Sequence, residues 1–128
     1  NIGNVVSRGC VNDMIDALYS SDPSKLAKIA QSYERHGDEI EKYGIFYYLA
    51  LNSNIPLNIG EFIALKFANQ PSMNNIRRNL VESAITTTHK ELLNLLTNDR
   101  DPKTAYYAKM KLAKKDIIHT KIIRYSHI

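Results

Sequence analysis

The chain has 128 residues, 44% hydrophobic and 23% charged, with a formal net charge of +4 at pH 7. Length and apolar content suit one folded domain and exclude a disordered chain, and no apolar run approaches the ~20 residues needed to cross a bilayer. The charge is uneven: residues 101–128 hold seven basic groups against Asp101 and Asp116, whereas the first hundred residues hold ten basic against eleven acidic groups.

Other composition marks narrow the setting. Cys10 is the single cysteine, so no internal disulfide forms, and a lone thiol of this kind reads as a small buried hydrophobe in a reducing compartment. A soluble intracellular protein is expected, cytoplasmic or, for a viral chain, in the host cytoplasm or nucleus. Ile and Asn fill 27 positions, and their AT-rich codons suit a virus, a phage or a low-GC bacterium. Opening on Asn1 rather than Met reads as a processed product or a fragment of a longer chain.

In chain order, Val11, Met14, Ile15 and Leu18 predict a first helix ending near Ser20. Asp22-Pro23 then supplies an N-cap followed by a proline whose missing N–H costs nothing at the first helical position. Leu26, Ala27, Ile29, Ala30 and Tyr33 form the inward stripe of this second helix, and Gly37 suits the left-handed residue that closes it. From Asp38 to Asn52, Ile40, Tyr43, Ile45, Phe46, Tyr47, Leu49 and Leu51 cover nearly the whole circumference. A helix apolar all round belongs at the centre, with Gly44 admitting one neighbour closely. Tyr43, Tyr47 and Tyr48 read as packing groups whose hydroxyls reach partners near the surface.

Downstream, capping chemistry predicts three starts. Asn58 with Glu61 and Thr88 with Glu91 have the spacing of reciprocal caps, and Ser72 follows the helix-stopping Pro71. They introduce Ile59, Phe62, Ile63 and Phe67; then Met73, Ile76, Leu80, Ala84 and Ile85; then Leu92, Leu93 and Leu96. Asp101-Pro102 repeats the Asp22-Pro23 opening ahead of Ala105, Ala108 and Leu112. Ile118, Ile122 and Tyr125 predict a separate eighth helix, although the paired isoleucines also suit a strand.

The expected fold is therefore all-α, one domain over residues 1–128, with seven or eight short helices. Predicted starts near 23, 59 and 89 alternate with starts near 38, 73 and 102, which favours stacked antiparallel helical hairpins, an irregular array, with an orthogonal bundle as the alternative. The consensus residues of tetratricopeptide and ankyrin repeats are absent.

For function, the C-terminal charge is the main signal. Lys103, Tyr107, Lys111 and Lys114 follow one another at 4, 4 and 3 residues, so a helix aligns them, with Lys115 at the margin and Lys121 and Arg124 further on. Lysines about one turn apart can track phosphates, and Tyr107 can stack on an unpaired base. Arg77, Arg78 and Lys90 extend this surface if their helices lie beside the last one, although Glu82, four residues after Arg78, predicts an ordinary intrahelical ion pair. Lysine rather than arginine implies neutralisation of the phosphate backbone more than base reading.

No pattern for catalysis stands out. His36, His89, His119 and His127 lack the close spacing of zinc ligands, and the five glycines are too scattered for a phosphate loop. Glu39, Glu41, Asp99 and Asp101 lie near helix starts, where capping explains them, while Thr86 to Thr88 beside His89 carry no further catalytic sign. Glu61 or His89 would matter only in a deep pocket with a second titratable group. The expectation is a non-catalytic module without metal or cofactor that contacts nucleic-acid phosphates. The alternative is a protein-interaction scaffold or homo-oligomer docking through Ile117, Ile118, Ile122 and Ile123.

Overall fold

A computed structural model describes the backbone of residues 7–126 and the side chains of residues 7–114. Seven helices occupy the described residues: α1 (Arg8–Tyr19), α2 (Pro23–Arg35), α3 (Glu39–Ala50), α4 (Leu57–Lys66), α5 (Asn74–Ser83), α6 (Lys90–Leu96) and α7 (Pro102–Ser126), with one 3-10 turn at Pro71–Met73 ahead of α5. No strand occurs among these residues, and no helix is long and apolar enough to cross a membrane. The predicted eighth helix does not form separately, because backbone hydrogen bonding runs unbroken from Pro102 to Ser126. Nothing between Lys115 and Ser126 is a glycine or proline that would stop it.

Several ends obey their predicted chemistry. Asp22 caps α2 by accepting the Ser24 N–H with Pro23 behind it, and Asp101 Oδ2 accepts the Thr104 N–H at the start of α7; Asp38, not read as a cap, caps α3 through the Glu41 N–H. Gly37 closes α2 at φ 100°, a value that L side chains rarely adopt. Three predicted caps fail. α4 begins at Leu57 behind Pro56, leaving Asn58 exposed inside the first turn; α6 begins behind His89 rather than Thr88; and Ser72 lies within the 3-10 turn. The reason at α6 is tertiary, since the His89 imidazole is held by other backbone groups and fixes the chain there.

Packing follows the order of the chain. Every substantial helix contact joins neighbours or next-but-one neighbours: α1 with α3, α3 with α5, α5 with α7 and α4 with α6, besides the adjacent pairs. The odd-numbered helices thus form one layer, while on the other side α4 packs on α6 and meets α2 through the Lys66–Glu34 ion pair, as in an irregular array of stacked hairpins. Hairpin starts at Pro23, Leu57 and Lys90 are 34 and 33 residues apart, a more even rhythm than the sequence reading indicated.

Odd-numbered helices run in the same direction, since start meets start and end meets end: Ser7 bonds Glu41 and Asn52 bonds Ala17 for α1 and α3, Asn75 bonds Tyr43 and Ser83 bonds Ala50 for α3 and α5, and Asp101 bonds Arg78 while Lys111 bonds Val81 further along α5 and α7. Met14 of α1 lies against Gly44 of α3, Asn75 of α5 donates to the Tyr43 hydroxyl of α3 at 2.6 Å, and Lys111 of α7 reaches the last turn of α5. A Cβ on Gly44 would collide with the Met14 methyl, so the expected close approach is real. α3 touches α1, α2, α4 and α5, the central position that its all-round apolar surface requires. Phe46 at its middle packs edge-on against Phe67 and tilted against Phe62.

The stripes of α2, α4 and α6 are buried as read, through Leu26, Ile29 and Ala30; Ile59, Ile63 and Phe67; and Leu92, Leu93 and Leu96. α1 is rotated from its reading, so Cys10, Met14 and Ala17 face inward while Val11 and Ile15 face out. Cys10 is buried, and desolvation raises the thiol above its ordinary value, which keeps it protonated and inert at neutral pH. On α5, Ile85 lies exposed just past the helix end.

Side chains staple the loops at each end of the layers. At one end Asn52, buried, donates to the carbonyls of Ala17 and Ser20, Ser83 Oγ donates to Ala50, and Ser53 Oγ donates to Ser83. These bonds satisfy carbonyls left free where α1, α3 and α5 stop. At the opposite end Arg77 performs the same task for the loops after α4 and α6.

Candidate nucleic-acid interface

The residues proposed from sequence belong to α5, α6 and α7, and the fold does bring these helices together, with α7 lying against both α5 and α6. Their side chains nevertheless separate into buried, paired and exposed groups. Arg77 is 1% exposed. Its Nε and Nη2 donate to the two carboxylate oxygens of Asp99 at 2.7 and 3.1 Å, and Nη1 donates to the carbonyls of Phe67 at 2.6 Å and Gln70 at 3.0 Å. The planar fork of an arginine suits this bidentate grip, and a buried guanidinium must be paired so completely to be tolerated. Arg77 is therefore no part of an outer basic surface, which corrects the expectation.

Arg78 is also committed. Its Nε donates to Asp101 Oδ2 at 2.9 Å, so its partner is across the fold and not Glu82 on the same helix. The Arg78 bond, followed by the Thr104 hydroxyl, pulls the Asp101 carboxyl down to about 2 from an ordinary 3.8. Asp101 thus serves as helix cap, ion-pair partner and acceptor for Thr104 at 2.6 Å. A cleft of about 260 Å³ beside this pair is walled by Arg77, Arg100, Asp101 and Pro102, among others, and its buried charges are already satisfied.

On α7 the inward face is Thr104 and Ala108, fully buried, with Leu112 packed against the core. Ala105 lies at the margin of that face. Lys111 falls near the same side. Its Nζ donates to the carbonyls of Val81 and Glu82, both at 2.7 Å, and burial pushes the ammonium below its ordinary value. Lys111 is therefore a C-terminal cap for α5 and not a member of the exposed stripe, a second correction.

What remains outside is compact. Lys103, Lys109 and Lys114 are exposed, and none makes an ion pair among the described residues. Between them Tyr106 is 57%, Tyr107 51% and Met110 49% exposed. The two tyrosine rings meet edge to face with centroids 5.7 Å apart. At 100° per residue Lys103, Tyr107, Met110 and Lys114 share one line along the helix, with Tyr106 about 70° to one side of it and Lys109 about 130° round, on the far flank of the exposed face. Tyr106, Met110 and Lys109 were not among the site residues proposed from sequence, although Lys109 belongs to the C-terminal basic surplus. Their signal was present in the spacing of 103, 106 and 110, but an apolar residue on a short helix reads first as core. Lys90 is exposed at the first position of α6, and the side chains of Lys115, Lys121 and Arg124 lie outside the described residues, as do the four isoleucines from 117 to 123.

Four of the residues considered for catalysis, Glu41, His89, Asp99 and Asp101, have structural roles. Asp99 accepts from Arg77 with its side chain 5% exposed, Asp101 caps α7, and Glu41 Oε2 accepts from the Ser7 N–H and hydroxyl at 3.3 Å. His89 is buried, its Nδ1 accepting the Ile85 N–H at 2.9 Å and its Nε2 lying 2.8 Å from the Ile55 carbonyl. Both ring nitrogens are thus engaged by backbone groups, which gives the imidazole a structural place between Ile85 and Ile55. Among the described residues no three of His, Cys, Asp and Glu gather as a metal site. Comparison with protein-family models, with curated proteins and with solved structures returned no match for this chain.

Proposed function

We propose that this chain is a non-catalytic helical module that contacts nucleic-acid phosphates through the outer face of α7. The observation that carries the reading is the set Lys103, Lys109 and Lys114, exposed and without an ion pair among the described residues, on a helix whose other side is anchored to α5 and α6. An anchored helix holds its cations at fixed positions, Lys103 and Lys114 on one line and Lys109 on the other flank of the exposed face, so phosphate neutralisation does not require ordering a loose tail. Intracellular location follows as part of the same reading, and no cofactor enters it.

Fewer cations serve this surface than the sequence count implied, because Arg77, Arg78 and Lys111 have internal partners. With about three phosphates neutralised, the logarithm of the binding constant should fall with log salt at a slope of roughly −3 for a duplex or −2 for a single strand. Titrating labelled oligonucleotides between 25 and 300 mM salt, read by fluorescence anisotropy, measures it. A flat response, or binding unchanged in the Lys103→Glu/Lys114→Glu double variant, refutes the reading.

A second reading, an interaction scaffold docking a further copy of the chain, is favoured by α1. Val11, Ile15 and Tyr19 repeat every four residues on its outward face and are all exposed, at the opposite end of the odd-numbered layer from α7. Light scattering discriminates, since a monomer at 100 μM removes self-association through that face.

A further inference from the structure

The outer face of α7 holds more apolar surface than phosphate contact requires. Tyr106, Tyr107 and Met110 are each about half exposed or more, on a helix that had an inward side available for them. Phosphates of a duplex meet lysine ammonium groups readily, but its bases are stacked inside and offer these rings no free π-face to stack on. Unpaired bases do, since every base has a π-face that an aromatic side chain can cover.

The placement of charge agrees. Lys103 precedes Tyr107 by one turn, Lys114 follows Met110 by one turn, and Lys109 adjoins Tyr106 at the i+3 position. From Lys103 to Lys114 the axis rises about 16 Å, a length over which two neighbouring bases can lie on two neighbouring rings while the flanking ammonium groups meet the phosphates on either side. The edge-to-face arrangement of Tyr106 and Tyr107, with centroids 5.7 Å apart, holds each ring against the other, so less side-chain freedom is lost on binding. Neither ring hydroxyl has a protein partner among the described hydrogen bonds, and neither ring is needed by the core.

Resting on the phosphate-binding reading above, we infer that the ligand of this face is single-stranded nucleic acid, with Tyr106 and Tyr107 as a base-stacking pair and Lys103, Lys109 and Lys114 as its phosphate contacts. Met110 extends the platform along the helix. Sequence preference is weak, because stacking tolerates any base and no arginine or amide side chain on this line reads a base edge.

Anisotropy titration of the full chain at 50 mM salt against a 20-nucleotide oligo-dT, a 20-nucleotide oligo-U and a 20-base-pair duplex tests this. The single strands should bind at least about tenfold more tightly than the duplex. Tyr107→Ala and Tyr106→Ala should each weaken single-strand binding roughly 5- to 100-fold with little effect on the duplex, while Tyr107→Phe binds as the parent does. Both positions are exposed, so circular dichroism should show unchanged folding. A duplex bound as tightly as the single strands, or alanine variants that bind oligo-dT normally, overturns the single-strand inference and leaves phosphate contact standing. Failure of all three probes to bind at 50 mM salt overturns both and points to an acidic protein partner for the face.

Discussion

Arg77 and Asp99 carry the highest stakes of any pair in the molecule. The guanidinium satisfies two carbonyls of the loop after α4 while its carboxylate partner belongs to the loop after α6, so one side chain joins three segments. Removing one partner strands a buried charge, and Arg77→Leu should lower unfolding free energy by about 3–5 kcal/mol, measured by urea denaturation. Against a typical total of about 5–15 kcal/mol, the variant approaches the limit of folding. Asp101 acts on a smaller scale and depends on pH. A carboxyl held below its ordinary value contributes stability above pH ~4, and that contribution fades as pH falls toward the folded value of about 2. Because Arg78 is one-third exposed, solvent screens the pair and the effect should stay near 1 kcal/mol. Thermal melts of the parent should decline more steeply between pH 4 and 2 than those of Asp101→Asn.

At the scale of elements, α7 has two jobs on two faces. Thr104, Ala108 and Lys111 bind it to its neighbours, and Lys103, Lys109 and Lys114 face outward. The division yields a paired prediction. Lys111→Met keeps most of the aliphatic stem but loses both carbonyl bonds, so its Tm should drop by a few degrees while oligonucleotide affinity changes less than twofold. Lys103→Glu should do the reverse, weakening affinity several-fold at constant Tm. α1 and α3 supply a test of packing. Gly44→Leu places a branched side chain where Met14 lies, and the two helices must separate at a cost of about 1–3 kcal/mol or more, read as a lower denaturation midpoint. Gly44→Ala should be nearly neutral, because the Met14 methyl can swing aside and alanine favours the helix by about 1 kcal/mol over glycine.

For the molecule as a whole, contacts confined to near neighbours imply that stability is a sum of local terms. α3 packs on four helices whereas the first and last helices, α1 and α7, each pack on two, so opening of the array should begin at its ends. Native-state hydrogen exchange should find the amides of Ile45 to Leu49 protected to nearly the global unfolding free energy, and those of α1 exchanging through a smaller opening. Electrostatics also read differently at this scale. The surplus charge of residues 101–128, with Arg77 and Arg78 as its extension, looked like one basic surface, but tertiary contacts absorb Lys111, Arg77 and Arg78 and leave fewer cations set among exposed rings.

Local chemistry was sufficient for the helical class, the Asp22, Asp38 and Asp101 starts, the Gly37 stop and the central place of α3, since caps, left-handed glycine and hydrophobic period act within a few residues of themselves. It was insufficient wherever a partner sits twenty or more positions away. Asp99 and Arg77 are 22 residues apart, Lys111 and Val81 30, and His89 and Ile55 34, and no local spacing announces such pairs. Exposure of Tyr106, Tyr107 and Met110 has the same cause: which side of α7 meets α5 and α6 is set by the stacking of hairpins, and a helix with apolar groups on several faces leaves that choice to its neighbours.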